Sequence, residues 1–258
     1  MDKKTLVKEH AANHRYFSLE EVVKVAGITR PLAKKYLHEL KEAGVVFSAG
    51  RGIYSNISKT FPLTEEKSRV AEIRQMLTRE YPELDFIIWN TLTFQPYYHH
   101  QQTHNITFVE VEFDAIHTVF DRISRDYRFV LMEKTSRVAP KGFDITRDPI
   151  VVRLLNKESP REGHAAALEK MLVDLFIIKD KYSTMGNADY WELLESVDDF
   201  YRVNVSDFVR YAKARRYFRD IYSQLVDKEG LDKVTFATYL KYVDKVTSKK
   251  DGHGKADR

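Results

Sequence analysis

The chain has 258 residues, 43% hydrophobic and 31% charged, with 15 Tyr and 15 Phe, which is enough apolar material for two packed domains. It has no cysteine, which excludes disulfides, thiolate metal sites and cysteine nucleophiles. No apolar run approaches the roughly 18 residues that cross a bilayer, so a protein of the reducing cytoplasm with no membrane partner is expected. Net charge is only +4, but residues 1–58 hold ten Lys and Arg against six acids while the remaining 200 balance 32 against 32, so the excess lies where a phosphate-binding module would need it.

Met1-Asp2-Lys3-Lys4 leads into an amphipathic helix over residues 3–14, with Leu6, Val7 and Ala11 inward, and does not read as a signal peptide. Ser18-Leu19-Glu20-Glu21 is a capping box that opens a short helix to Val25. Ala26-Gly27-Ile28 is a tight turn. Thr29 then caps a third helix with Pro31 in its first turn, ending at Gly44. Val45-Val46-Phe47 and Ile53-Tyr54-Ser55 are strands around the turn Ser48-Ala49-Gly50-Arg51-Gly52.

A linker comes next, over residues 56–63. The apolar positions Val70, Ile73, Met76 and Leu77 predict a helix from Thr64 to Glu80. Strands are expected at 86–89, 106–113, 127–132 and 150–155, with a helix from 114 to 125. Gly163-His164-Ala165 leads into an apolar helix through Phe176, and further helices are expected over 188–201, 206–226 and 232–246. Residues 248–258 lack core-forming side chains and read as a disordered tail. The fold class predicted is therefore α+β. A winged helix-turn-helix at 1–58 is followed by a mixed α/β carboxy-terminal domain at 59–247, with about four strands and six helices.

In such a motif the helix after the tight turn enters the major groove of DNA, and its first residues meet base edges. Those residues are Thr29, Arg30, Lys34, Lys35 and His38. Arginine can bond both guanine acceptors, and threonine can reach a phosphate or a thymine methyl. Leu32, Ala33, Leu37 and Leu40 belong to the buried side. Arg51, between two glycines at the hairpin tip, is suited to phosphate or the minor groove.

The stretch from Val22 to Leu37, followed by Gly44-Val45-Val46 and Gly50-Arg51-Gly52-Ile53-Tyr54, resembles the amino-terminal domain of the abortive-infection type IV antitoxins (AbiEi-like), whose wing ends in a similar Gly-Arg-Gly-x-Tyr. Leu168-Glu169-Lys170-Met171-Leu172-Val173-Asp174-Leu175 is similar to a helix of their carboxy-terminal domain, as is the stretch from Val205 to Arg216. Residues 80–160 depart from that pattern. The resemblance implies a transcriptional repressor of its own operon. The neighbouring gene would encode a nucleotidyltransferase-like toxin, neutralised without a stable complex.

Other constellations point elsewhere. Arg215, Arg216 and Arg219 fall at helical spacing on the helix expected from Ser206 and could form a second basic surface, for phosphate or for a toxin. Asp85, Glu110 and Glu112 loosely match the acidic set of metal-dependent nucleases. The lysine expected two residues after the strand glutamate is replaced by Glu112, and Glu110 and Glu112 also read as the polar face of an alternating strand. His99, His100 and His104 lie in a Gln- and Tyr-rich stretch around Pro96 that favours a polar loop over a metal site. Glu169 and Lys170 are expected at the solvent edge of their helix, with Asp174 paired to a cation such as Arg210. No glycine-rich phosphate loop, nucleophile elbow or paired-aspartate nucleotidyltransferase motif occurs. The reading is a DNA-binding regulator without cofactor or catalytic residues. The alternatives are a nuclease targeted by a winged helix and a protein-interaction adaptor.

Overall fold

The computed structural model describes residues 2–63, 68–98, 104–133 and 138–227 of a mixed α+β protein. Two units divide it, one formed by residues 1–61 with 198–258 and the other by residues 62–197. Among the described residues no helix is long and apolar enough to cross a membrane. The expected helix over 232–246 and the tail at 248–258 lie outside the described residues, as do the start of the helix expected from Thr64 and the residues His99 and His100.

The first unit begins with α1 (Lys3–Asn13), β1 (Tyr16–Ser18), α2 (Leu19–Ala26) and α3 (Arg30–Glu42), followed by β2 (Phe47–Gly50) and β3 (Ile53–Ser55). Local chemistry sets each boundary. The Glu21 amide donates to Ser18 Oγ at 3.1 Å and Glu21 returns a carboxylate to the Ser18 amide at 2.6 Å, closing the capping box. Gly27 ends α2 at φ 57°, and Gly44, at φ 68°, follows α3 with the Val45 amide bonded back to Leu40. Thr29 occupies the N-cap of α3 but makes no side-chain capping bond. The three strands form an antiparallel sheet in the order β1-β3-β2. β1, which a helix–helix–helix–hairpin reading lacks, pairs Tyr16 with Ser55 and buries Tyr16 and Phe17.

The structure corrects a domain boundary at residue 58, because the first unit takes in the chain from Asp198, near the end of α7 (Asn187–Phe200). Asp198 and the helices α8 (Val205–Ala214) and α9 (Phe218–Asp227) group with the amino-terminal residues. The buried Tyr16 hydroxyl donates to Asp198 Oδ1 at 2.8 Å and accepts from the Val203 amide at 2.9 Å. Arg202 donates from its amide to the Lys59 carbonyl at 2.8 Å and from its guanidinium to the Ile57 carbonyl at 2.6 Å. Ser206 Oγ accepts from the Arg51 amide at 2.8 Å, and any side chain at Gly50 would strike Ser206. A single helix over 206–226 is likewise corrected. α8 stops at Ala214 in a Schellman turn, with the Arg216 amide on the Lys213 carbonyl and the Tyr217 amide on the Ala212 carbonyl. Arg216 holds the left-handed position at φ 64°, which costs a non-glycine residue about 1–2 kcal/mol.

The second unit holds α4 (Arg69–Glu80), β4 (Phe86–Asn90), β5 (Thr107–Val111), α5 (Ile116–Asp126), β6 (Val130–Met132), β7 (Ile150–Leu154), β8 (Arg161–Glu162), β9 (Ala165–Ala166), α6 (Leu168–Lys181) and most of α7. Six strands, two more than expected, form one mixed sheet in the order β6-β7-β5-β4-β9-β8. β8 and β9 are two-residue strands turning on Gly163 at φ 57°, too short to leave a pattern in sequence.

β4 and β5 are buried along their whole length because both faces of the sheet are covered. Val70, Ile73 and Leu77 of α4 and Val119 and Ile123 of α5 pack on the face carrying Ile88, Val109, Val111 and Val152. The opposite face carries Trp89, Phe108, Glu110 and Arg153 and meets α6, all of whose residues from Leu168 to Lys179 are buried. α7 packs on α6 through Tyr190, whose hydroxyl donates to the Leu172 carbonyl at 3.1 Å.

Candidate nucleic-acid interface

The candidate surface is built on α3, whose 13 residues separate by chemistry around the axis. Ala33, Leu37 and Leu40 are buried at three- and four-residue spacing. Arg30, Lys34 and His38 recur every fourth residue on the outer side, with Lys35 beside them, and all four are exposed. Thr29 is exposed at the N-cap, and Leu32 and Tyr36 are half-buried flanks. The helix therefore brings five of the expected residues to one solvent-facing stretch.

Its electrostatics are only partly cancelled. Arg30 Nη2 lies 3.1 Å from Glu20 on α2, but both side chains are about half exposed or more, and such a pair holds by less than about 1 kcal/mol. Glu39, on α3 itself, is taken by Lys4 of α1 at 2.6 Å, and that hydrogen bond holds its carboxyl below the ordinary carboxylate range. Lys34, Lys35 and His38 form no ion pair among the described residues.

Arg51 stands at the turn between β2 and β3 with its side chain exposed. Its amide is not available to a ligand, because it is bonded to Ser206. Sequence reasoning missed this docking of the hairpin on α8. Gly50, at φ 132° and with a Cβ position 2.3 Å from Ser206 Oγ, is the local sign of it, though its partner lies about 150 residues away.

The second basic surface is not assembled. Arg215 is half-buried and donates to the Tyr211 hydroxyl at 2.8 Å, Arg216 sits in the turn, and Arg219 belongs to α9. The break after Ala214 removes the helical spacing on which a common sector depended.

The acidic set does not gather either. Asp85 forms a bidentate pair with Arg161, Glu112 is exposed, and Glu110 is buried. Far from being a polar strand face, Glu110 Oε1 accepts from Trp89 Nε1 at 3.0 Å, Arg153 Nη2 at 2.6 Å and Lys170 Nζ at 2.6 Å. Asp174 Oδ2 accepts from Lys170 at 2.5 Å and from Arg153 at 2.7 Å, so its partners are these and not Arg210. Lys170 is completely buried and Glu169 nearly so, which corrects the solvent edge expected for these two, and Asp174 is completely buried beside them. Burial opposes the ionisation of Glu110, but Arg153 and Lys170 outweigh it and hold its carboxyl below the ordinary range. Two carboxylates and two cations thus neutralise one another inside the sheet–α6 layer. Among the described residues no three His, Asp or Glu side chains form a metal-binding group.

The sequence profile of the Family of unknown function (DUF6577) matches residues 32–230. The chain belongs to this family. The matched span opens inside α3 and runs through the hairpin, the second unit and α9, so the DUF6577 pattern is carried by both units while Thr29 and Arg30 precede it. No curated protein matches this DUF6577 chain.

Proposed function

We propose that this DUF6577 chain is a sequence-specific regulator that binds double-stranded DNA, with its first unit working as a winged helix-turn-helix. α3 is then the recognition helix, Arg30, Lys34, Lys35 and His38 its groove-facing residues, and Arg51 the tip of the wing. The observation that carries the reading is the division of α3 into a buried apolar side and an exposed cationic side directly after the Gly27 turn. The concentration of the chain's net charge in residues 1–58 supports it.

The resemblance to abortive-infection type IV antitoxins extends the proposal. The regulator represses its own operon in the cytoplasm by occluding the promoter, and the adjacent gene encodes a nucleotidyltransferase-like toxin that it opposes without a stable complex. Fluorescence anisotropy of the full chain against its own upstream duplex and a scrambled duplex tests the specific part. A preference of about 10³ or more is expected, as for specific regulators. Arg30→Ala should lose about 1–3 kcal/mol of that discrimination. Equal affinity for both duplexes would contradict sequence-specific regulation.

A further inference from the structure

The second unit contains a pocket of about 500 Å³ that the DNA-binding reading does not use. It lies where β6 and β7 begin and α4 starts, and its lining includes Arg69, Arg128, Arg147, Tyr127 and Phe129. That volume is within the range of small-molecule sites, roughly 300–1,000 Å³.

Three arginines line the pocket against one acidic residue, Asp148. This carboxylate is already engaged: its Oδ1 accepts from the Asn105 amide at 2.8 Å. Asp148 itself is in the left-handed region at φ 47°, where a non-glycine residue is strained, and its carbonyl accepts from Arg69 Nη1 at 2.7 Å. The strained turn thus fixes Arg69 at the pocket. Arg147 lies 5.1 Å from the centre of the Phe129 ring and 3.3 Å from Asp144, both members of that ion pair being well exposed. Arg128 makes no ion pair among the described residues. Tyr127 is half-buried among the lining residues, and its hydroxyl donates to Glu72 at 3.1 Å.

Arginines present a rigid planar fork that suits phosphate oxygens, and aromatic rings offer flat faces to a base. We propose that this pocket binds a nucleoside phosphate, its phosphate groups held by Arg69, Arg128 and Arg147 and its base set against Phe129 and Tyr127. The aromatic pair distinguishes such a ligand from a bare polyphosphate, which would use the arginines alone.

Isothermal titration of the full chain with each of the four common ribonucleoside triphosphates, and with inorganic pyrophosphate, tests this. At least one nucleotide is expected to bind with a Kd below about 1 mM, and pyrophosphate at least about tenfold more weakly. Arg128→Ala, at an exposed side chain, should weaken the nucleotide at least about threefold while leaving the thermal midpoint of the unliganded protein unchanged. Lys34→Ala/Lys35→Ala serves as the control that separates this site from α3 and should bind the nucleotide as the wild type does. The proposal is overturned if no nucleotide binds, if pyrophosphate binds as tightly, if an Arg128→Ala/Arg147→Ala chain keeps its affinity within threefold, or if the α3 variant loses it.

Discussion

Asp198 carries an ionisation cost that the first unit bears at neutral pH. Burial is the main cause, and although the Tyr16 hydrogen bond and Arg15 oppose it, the carboxyl is raised from 3.8 to about 6. The folded chain therefore binds a proton that the unfolded chain releases between these values. Stability falls as pH rises through that window, and the whole cost, about 3 kcal/mol at most, is present above pH 6. Asp198→Asn keeps an oxygen for the Tyr16 hydroxyl and removes the titration. Urea midpoints followed by far-UV circular dichroism should drop between pH 4.5 and 7.5 in the wild type. The variant should show a smaller drop and be the more stable protein at pH 7.5. At this scale the sequence was legible where chemistry is local. Ser18 and Glu21 announce their capping box, and Gly27 and Gly44 their turns. Asp198 and Tyr16 gave no sign, because each acquires its environment from a partner about 180 residues away.

Among the elements, the hairpin and α8 meet through Gly50 and Ser206. A methyl group at Gly50 would lie 2.3 Å from Ser206 Oγ and 2.9 Å from its backbone nitrogen, and φ 132° is itself unfavourable for alanine. Gly50→Ala is expected to cost about 1–3 kcal/mol in urea denaturation, whereas Gly52→Ala, with open space around it, should lose only what its positive φ demands.

In the second unit the link between α6 and the sheet is ionic. Lys170→Ala would remove a cation that bridges Glu110 and Asp174, and breaking such a buried cluster costs about 3–5 kcal/mol. Both tryptophans, Trp89 and Trp191, belong to this unit, so tryptophan emission during denaturation reads the loss directly. Alternation and helical spacing located β5 and α6 but mislabelled their charged residues. A glutamate in an alternating strand marks a solvent face only when nothing covers it, and here α6 does, with its own lysine and aspartate spaced four apart to meet Glu110 and Arg153.

For the whole molecule, the first unit is discontinuous in the chain, and this property was the least legible in sequence. A linear boundary near residue 58 is what the linker composition suggests, yet α8 contributes Val205, Phe208, Val209, Tyr211 and Ala212 as buried residues of the same unit. Burying each large side chain of this kind stabilises by about 1.5–3 kcal/mol, so their sum is comparable with the ordinary 5–15 kcal/mol stability of a domain. A chain ending at Val203 should therefore lose much of the helical signal of the first unit at 25 °C, which circular dichroism would detect. Retention of the full signal of residues 1–61 would show instead that this segment folds without its second half.

Contact between the cationic side of α3 and DNA would show first in the salt dependence of duplex binding. Each phosphate contact that releases a counterion contributes about −0.9 to the slope of log K against log salt. Anisotropy titrations from about 50 to 200 mM salt should give a steep negative slope for the wild type. Lys34→Ala/Lys35→Ala should flatten it by about 2, with Lys24→Ala on α2 having a smaller effect. A slope near zero in the wild type, or one unchanged by the double substitution, would contradict the account and turn the exposed face of α3 toward a protein partner.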